Sequence, residues 1–256
     1  MNLLIDIGNT LQKIAVFHND DEVFGQSFPF VTKEILQSVF NQYDIKYSIV
    51  SSVAETDARV VELLKTNTKM IHYTHQAKLP VTILYKNAES LGLDRIANAV
   101  GATTLFPDQN VLSIQAGTCL VFDFVNENKE YLGGSISPGM NMRFEALHKK
   151  TKNLPFIKSE ENPPNFWDTD TFNSLSNNSL NFLGTTTFGS LSSGVMNGMC
   201  YEIDGFIAAY RARFENLIVL LTGGDAVCLQ KLIKNTIFAA PNLVLKGLNE
   251  IIKFNV

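Results

Sequence analysis

Apolar and polar positions divide the chain into short apolar runs and longer stretches with helical spacing. Residues 2–7 (NLLIDI) form an apolar run stopped by Gly8-Asn9-Thr10, and residues 13–17 resume as a second strand. Residues 22–30 read as a third strand, and 33–43 carry helical spacing through Ile35, Leu36, Val39 and Phe40. A strand at 47–53, a helix at 56–65, strands at 69–73 and 81–85, and an Ala-rich helix over 94–106 beginning after Gly92 complete a first unit. Near Asn110 the segment VLSIQAGTC repeats the plan of LLIDIGNT, an apolar strand running into a polar turn that holds Gly and Thr. Strands at 119–125 and 131–137, helices over 141–152 and 190–215, and a strand at 217–221 ending in Thr222-Gly223-Gly224-Asp225 follow. A helix at 227–233, a strand at 237–244 and a helix at 248–254 finish the chain, and 159–178, rich in Asn, Thr, Ser and Pro, reads as a loop bordering a site or an interface. Two units that each open as a meander and close with alternating helices and strands imply an α/β protein of two lobes, 1–109 and 110–256, with mixed sheets facing a cleft where the matching turns meet.

Composition narrows the class of ligand. With 256 residues, 45% hydrophobic and 18% charged, the chain is too apolar for disorder, and a net charge of -4 gives no electrostatic footprint for nucleic acid. A small ligand fits better. Asp6 interrupts the apolar amino terminus, there is no basic start, and no apolar run reaches the ~18 residues of a membrane helix, so no membrane partner is expected. Cys119, Cys200 and Cys228 are far apart and outside any C-x-x-C spacing, which points to reducing cytoplasm and buried thiols. His18, His72, His75 and His148 show no metal or triad spacing and are read as structural or surface residues, and Trp167 as a packing residue.

The chemistry suggested by the turns is phosphoryl transfer, which needs backbone donors around phosphates, a carboxylate for magnesium and a group to receive the acceptor's proton. Neither G-x-x-x-x-G-K-[ST] nor G-x-G-x-x-G is present, so the phosphate site is of another kind. Asp6 ends a buried strand, where a carboxylate is costly unless it is ligated; Gly8 permits close backbone approach, Asn9 and Thr10 are polar, and Lys13 can reach a phosphate as a point charge. An ordinary hairpin turn is the alternative. Gly92-Leu93-Asp94-Arg95 opens a helix, where Asp94 is either a cap or a general base, and Arg95 is either a surface residue or a bidentate anchor for a substrate carboxylate. Gly117 and Thr118 approach phosphates from the second unit, and Gly133 to Gly139 and Thr222 to Asp225 are either Gly-rich turns or ligand loops.

In their order, these segments resemble the type III pantothenate kinase family: DIGNT at Asp6 to Thr10, Tyr85 ahead of GLDR at Gly92 to Arg95, AGT at Ala116 to Thr118, GGSISPG at Gly133 to Gly139, then Leu147, Thr151, Leu154-Pro155 and TGGD at Thr222 to Asp225. The resemblance implies an actin-like, ribonuclease H-like fold, a homodimer, and transfer of the ATP γ-phosphate to pantothenate in the first step of coenzyme A synthesis. It further implies that Asp6, Ile7, Gly8, Asn9, Thr10, Leu11, Gln12 and Lys13, with Gly117 and Thr118, hold ATP, and that Asp6 serves magnesium through water. Tyr85, Gly92, Leu93, Asp94, Arg95 and Thr187 would bind pantothenate, Asp94 as proton acceptor. Where the family usually carries an acid for a monovalent cation, K+ or NH4+, this chain has Gln115, which predicts weaker or absent potassium dependence. Ala88 and Val121 stand where the family tends to have Pro and Thr. Other readings are a non-catalytic nucleotide-binding regulatory or accessory protein of the same fold and a kinase for another acceptor; Arg95 beside the base favours an acidic one.

Overall fold

The computed structural model of the chain describes residues 1–8, 10–52, 57–157 and 182–256; Asn9, Trp167 and the loop read at 159–178 lie outside them. In chain order the described elements are β1 (Asn2–Ile7), β2 (Gln12–His18), β3 (Asp21–Phe28), α1 (Lys33–Gln42), β4 (Tyr47–Ser52), α2 (Ala58–Asn67), β5 (Lys69–Ile71), β6 (Thr82–Ile83) and α3 (Leu93–Leu105). They continue with β7 (Val111–Ala116), β8 (Cys119–Val125), β9 (Glu130–Pro138), α4 (Met140–Lys150), α5 (Thr187–Arg211), β10 (Ile218–Thr222), α6 (Ala226–Leu229), β11 (Phe238–Ala239) and α7 (Leu243–Phe254).

One sheet has the order β3-β2-β1-β4-β5, with β1 antiparallel to β2 and parallel to β4. The second has the order β11-β10-β7-β8-β9-β6. Its run β9-β8-β7-β10-β11 reproduces β3-β2-β1-β4-β5 element for element, so the sequence echo between LLIDIGNT and VLSIQAGTC reflects a repeated topology.

Alternation along β1 distributes its residues between two cores. Leu3, Ile5 and Ile7 pack with Leu36 and Val39 of α1 and Val60 and Leu64 of α2. Leu4, with Ala15 and Ile49 from the flanking strands, packs on the opposite face against Ala97 and Val100 of α3 and Val244, Leu248 and Ile252 of α7. The first two helices are fixed locally, α1 by Thr32 accepting from the Ile35 amide at 3.4 Å and α2 by Asp57 accepting from the Arg59 amide at 2.9 Å.

The chain forms two compact units, Met1–Val111 with Asp123–Gly133 and Asn242–Val256, and Leu112–Phe122 with Gly134–Pro241. The carboxy-terminal helix therefore belongs with the amino-terminal sheet, where a single division at 109/110 was expected. Close backbone approach explains its place: a Cβ on Gly247 would meet the Ala97 carbonyl, and one on Gly101 the Leu243 carbonyl. Asn249 adds polar ties, accepting from Asn2 Nδ2 at 2.8 Å and donating to the Asn19 carbonyl at 2.7 Å.

Several expectations shift in detail: the helix read at 227–233 shortens to α6, the strand read at 69–73 to β5, and the helix read at 190–215 ends at Arg211. The strand read at 237–244 contracts to β11 because Pro241 and Asn242, the latter at φ 56°, turn the chain, and α7 starts at Leu243. The strand read at 81–85 contracts to β6, and α5 starts at Thr187, where Thr186 accepts from the Gly189 amide at 3.0 Å. The α3–α7 approach gives a stability test: Gly247→Ala should lower the unfolding free energy by about 2 kcal/mol or more in chemical denaturation. An unchanged midpoint would contradict the close approach.

Candidate active site

The register of the first sheet brings predicted residues of the first unit together. Lys13, Asp6 and Ser51 are side by side across β2, β1 and β4, each two residues beyond Ala15, Leu4 or Ile49, and so share the face that packs under α3. Burial and the nearby Asp94 push the Asp6 carboxyl up to about 6, against the pull of Lys13. A half-buried carboxylate beside a second carboxylate is poised to take a cation. Ser51, unremarked in the sequence, is fully buried, and its Oγ has no hydrogen-bond partner. Its signal was a hydroxyl in the otherwise apolar register position next to Asp6.

The rest of the β1–β2 turn divides between faces. Ile7, Gly8, Thr10 and Gln12 line a cavity of about 570 Å³ together with Lys33 and Arg59 at the starts of α1 and α2. Gln12 Oε1 accepts from the Val31 amide at 2.7 Å, so this side chain is tied to the approach to α1. Leu11 is exposed, and the Gly8 amide donates to the Leu11 carbonyl at 3.2 Å. Of the segment read as a phosphate loop, Asp6 and Lys13 share the α3 face, whereas Ile7 and Gln12 point to the other.

The start of α3 is held from outside the helix. The Tyr73 hydroxyl donates to the Leu93 carbonyl at 2.6 Å, and His75 Nε2 donates to the Leu91 carbonyl at 2.7 Å. Gly92 is the N-cap residue and no side chain caps the helix, so Asp94 is not spent on capping. A Cβ on Gly92 would run into the Asp94 carboxylate, which folds back over that residue. Burial, then the neighbouring Asp94, pushes the Tyr73 phenol well up, so it remains a donor.

Arg95 departs from the surface reading. It is 8% exposed, and its Nε and Nη2 donate to Asp123 Oδ1 at 2.9 and 2.6 Å. The Tyr131 hydroxyl donates to the same oxygen at 2.7 Å. One side of the expected fork is therefore committed to Asp123. Tyr85 stands beside this group, its ring 6.2 Å from that of Tyr131. Asp123 was readable as a lone acid inside the apolar run CLVFDFV, but its partners were not.

The second unit carries the remaining predicted residues. Gly139 backs directly onto the Gly117 and Thr118 carbonyls, its amide donating to the latter at 3.2 Å. Gly223, at φ 98°, sits against the Ala116 carbonyl, which also accepts from the Asp225 amide at 3.1 Å. The segments GGSISPG and TGGD thus brace the AGT turn from two sides. Gln115, at the end of β7, has a buried Oε1 without a hydrogen-bond partner, an oxygen that a monovalent cation can satisfy. Thr187 lies at the start of α5 and lines a cleft of about 850 Å³ with Arg143, Leu147, Leu154, Thr186 and Leu191. Among the described residues no three His, Cys, Asp or Glu side chains converge on a metal site, and no helix is long and apolar enough to cross a membrane.

Comparison with known proteins places the chain in a family. Residues 2–209 match the family model for type III pantothenate kinase. The chain is 39% identical over 259 residues to a type III pantothenate kinase of Christiangramia forsetii, covering 100% of this chain and 99% of the relative. It is 39% identical over 256 residues to one of Cytophaga hutchinsonii, covering 100% of both, and 38% over 257 residues to one of Bacteroides fragilis, covering 100% and 98%. Among solved structures it resembles the activator of the 2-hydroxyisocaproyl-CoA dehydratase from Clostridium difficile with bound ADPNP, at TM-score 0.52 and 15% identity over 99% of this chain and 94% of that one. A candidate sugar kinase from Cytophaga hutchinsonii aligns at TM-score 0.51 and 12% identity over 99% of both chains. These structural likenesses concern the fold, which is the two-lobed actin-like one.

Proposed function

The chain belongs to the type III pantothenate kinase family, and we propose how its own residues carry out the ATP-dependent phosphorylation of pantothenate that opens coenzyme A synthesis. Asp94 receives the proton of the pantothenate hydroxyl, whose oxygen attacks the γ-phosphorus as the bond to the β,γ-bridging oxygen breaks and ADP leaves. The observation that carries this reading is an uncapped Asp94 at the first turn of α3, close enough to raise the pKa of Asp6.

Asp6 and Lys13 serve the ATP phosphates, with the backbone of the β1–β2 turn, and Gly117 and Thr118 serve them from the second unit. Tyr85, Gly92, Leu93, Arg95 and Thr187 bind pantothenate, Arg95 through its carboxylate. Asp6 is the residue that would hold magnesium, directly or through water. A single carboxylate suits magnesium, which keeps waters and relies on substrate phosphates. When bound, the ion neutralises phosphate charge.

Gln115 stands for a monovalent-cation ligand. Its unpartnered amide oxygen supports a weak site, since a neutral carbonyl gives less charge and fewer lone pairs than a carboxylate. The three free cysteines support a cytoplasmic setting. Exposed Met142, Phe156, Phe188 and Tyr201 on the second unit support a homodimer, with a second copy covering them.

The reading is tested by ADP release from purified protein given ATP, magnesium and pantothenate. Turnover should require pantothenate, and Asp94→Asn should lower kcat by about 10²–10⁴ while ATP still binds. Pantothenate-independent ADP release, or full activity in Asp94→Asn, would remove Asp94 from this role. For the cation, Gln115→Asp should strengthen potassium activation ~10-fold or more relative to wild type, as expected when charge is restored to a ligand. Superimposable potassium titrations of the two proteins would dismiss Gln115 as the cause.

A further inference from the structure

We propose that Asp123 and Tyr131 are a positioning pair that fixes the Arg95 guanidinium for the acceptor's carboxylate. The inference rests on the reading of Arg95 as the carboxylate anchor, and it assigns work to two residues that neither the motifs nor the family resemblance singled out.

Three donors converge on one oxygen. Asp123 Oδ1 accepts from Arg95 Nε at 2.9 Å, Arg95 Nη2 at 2.6 Å and the Tyr131 hydroxyl at 2.7 Å. Asp123 and Tyr131 come from the neighbouring strands β8 and β9, both are 0% exposed, and Tyr131 packs with Leu91, Ile96 and Ala99 around the start of α3. The oxygen is therefore held by the sheet, while the arginine that reaches it comes from the first turn of the helix carrying Asp94.

Stability alone is a weak reason for such a group. A buried ion pair recovers little more than its desolvation cost, and apolar residues of similar volume hold a core as well or better. What the group supplies is orientation. A guanidinium is planar, and two of its donors on one fixed oxygen set both the position and the tilt of that plane. Nη1 and the outward hydrogen of Nη2 then form the remaining edge, a preset fork for one further carboxylate. Because Arg95 and Asp94 are adjacent in one helical turn, fixing the fork also fixes the span between the carboxylate anchor and the hydroxyl to be deprotonated. An acceptor with that span between acid and alcohol is favoured, and the ordering cost of the arginine has been met before it binds.

The test measures KM for pantothenate, KM for ATP, kcat and melting temperature for Tyr131→Phe, Asp123→Asn and Arg95→Gln, and for Tyr131→Phe combined with Arg95→Gln. Tyr131→Phe removes one hydrogen bond with little change in volume, so it should fold and raise KM for pantothenate about five-fold, leaving KM for ATP and kcat within about two-fold. Asp123→Asn should raise it further; if that variant does not fold, Tyr131→Phe carries the test. In the Arg95→Gln background, where KM for pantothenate is already high, Tyr131→Phe should add nothing, which is the signature of action through Arg95. A lower melting temperature with unchanged KM, or an equal rise in KM in both backgrounds, would reduce the pair to a structural role. If Arg95→Gln raises KM and Tyr131→Phe does not, Arg95 stands as the anchor and the positioning pair is discarded. If Arg95→Gln leaves KM unchanged, the anchor and the pair are both overturned.

Discussion

The packing of α3 on one face of the β3-β2-β1-β4-β5 sheet is the constraint on which the rest of the first unit depends. That face carries Asp6, and α3 carries Asp94 in its first turn, so seating the helix brings two carboxylates near each other in a half-buried setting. The arrangement works against stability, because burial and like charge both disfavour ionised Asp6. It is held by the close approach of Gly101 and Gly247, the apolar face of α7, and the Tyr73 and His75 bonds to the Leu93 and Leu91 carbonyls. A site for phosphoryl transfer needs such a concentration of negative groups where a cation and a transferable proton will be, and the surrounding core sustains it.

A second device of the same kind lies around Arg95. Its charge is buried against Asp123, and the pair is rigid because both of its supports come from strands. Neighbouring residues of α3 therefore carry contrasting environments, Asp94 uncapped over Gly92 and Arg95 locked into the sheet. In the second unit the AGT turn is likewise fixed from both sides by glycines of GGSISPG and TGGD, whose lack of side chains lets three backbone segments meet.

Much of this was legible in the chain. Asp6 was read as a costly acid ending an apolar strand, whereas Asp123 in CLVFDFV was passed over, and the repeated strand-turn plan of LLIDIGNT and VLSIQAGTC led to two units with mixed sheets, whose strand orders match. The start of α3 after Gly92 followed from local spacing. What was not legible depends on distant pairing. Local pattern could not assign α7 to the amino-terminal sheet, since that rests on Gly247 meeting Ala97 across the fold. It could not place Ser51 beside Asp6, which requires the parallel register of β1 and β4, nor aim Arg95 at Asp123, 28 residues away. Spacing also read 237–244 as one strand across Pro241-Asn242, a turn signal that the flanking apolar residues outweighed in that reading, and Asn242 takes the left-handed conformation.

The measurement closest to the centre of this account is the titration of the Asp6 carboxyl carbon by NMR in metal-free protein, in the wild type and in Asp94→Asn. Asp6 should titrate near pH 6 and move downward when the neighbouring negative charge is removed, which would establish that α3 delivers Asp94 to the Asp6 face. An Asp6 that titrates in the ordinary range near 4, indifferent to Asp94→Asn, would contradict the pairing on which the proposed chemistry stands.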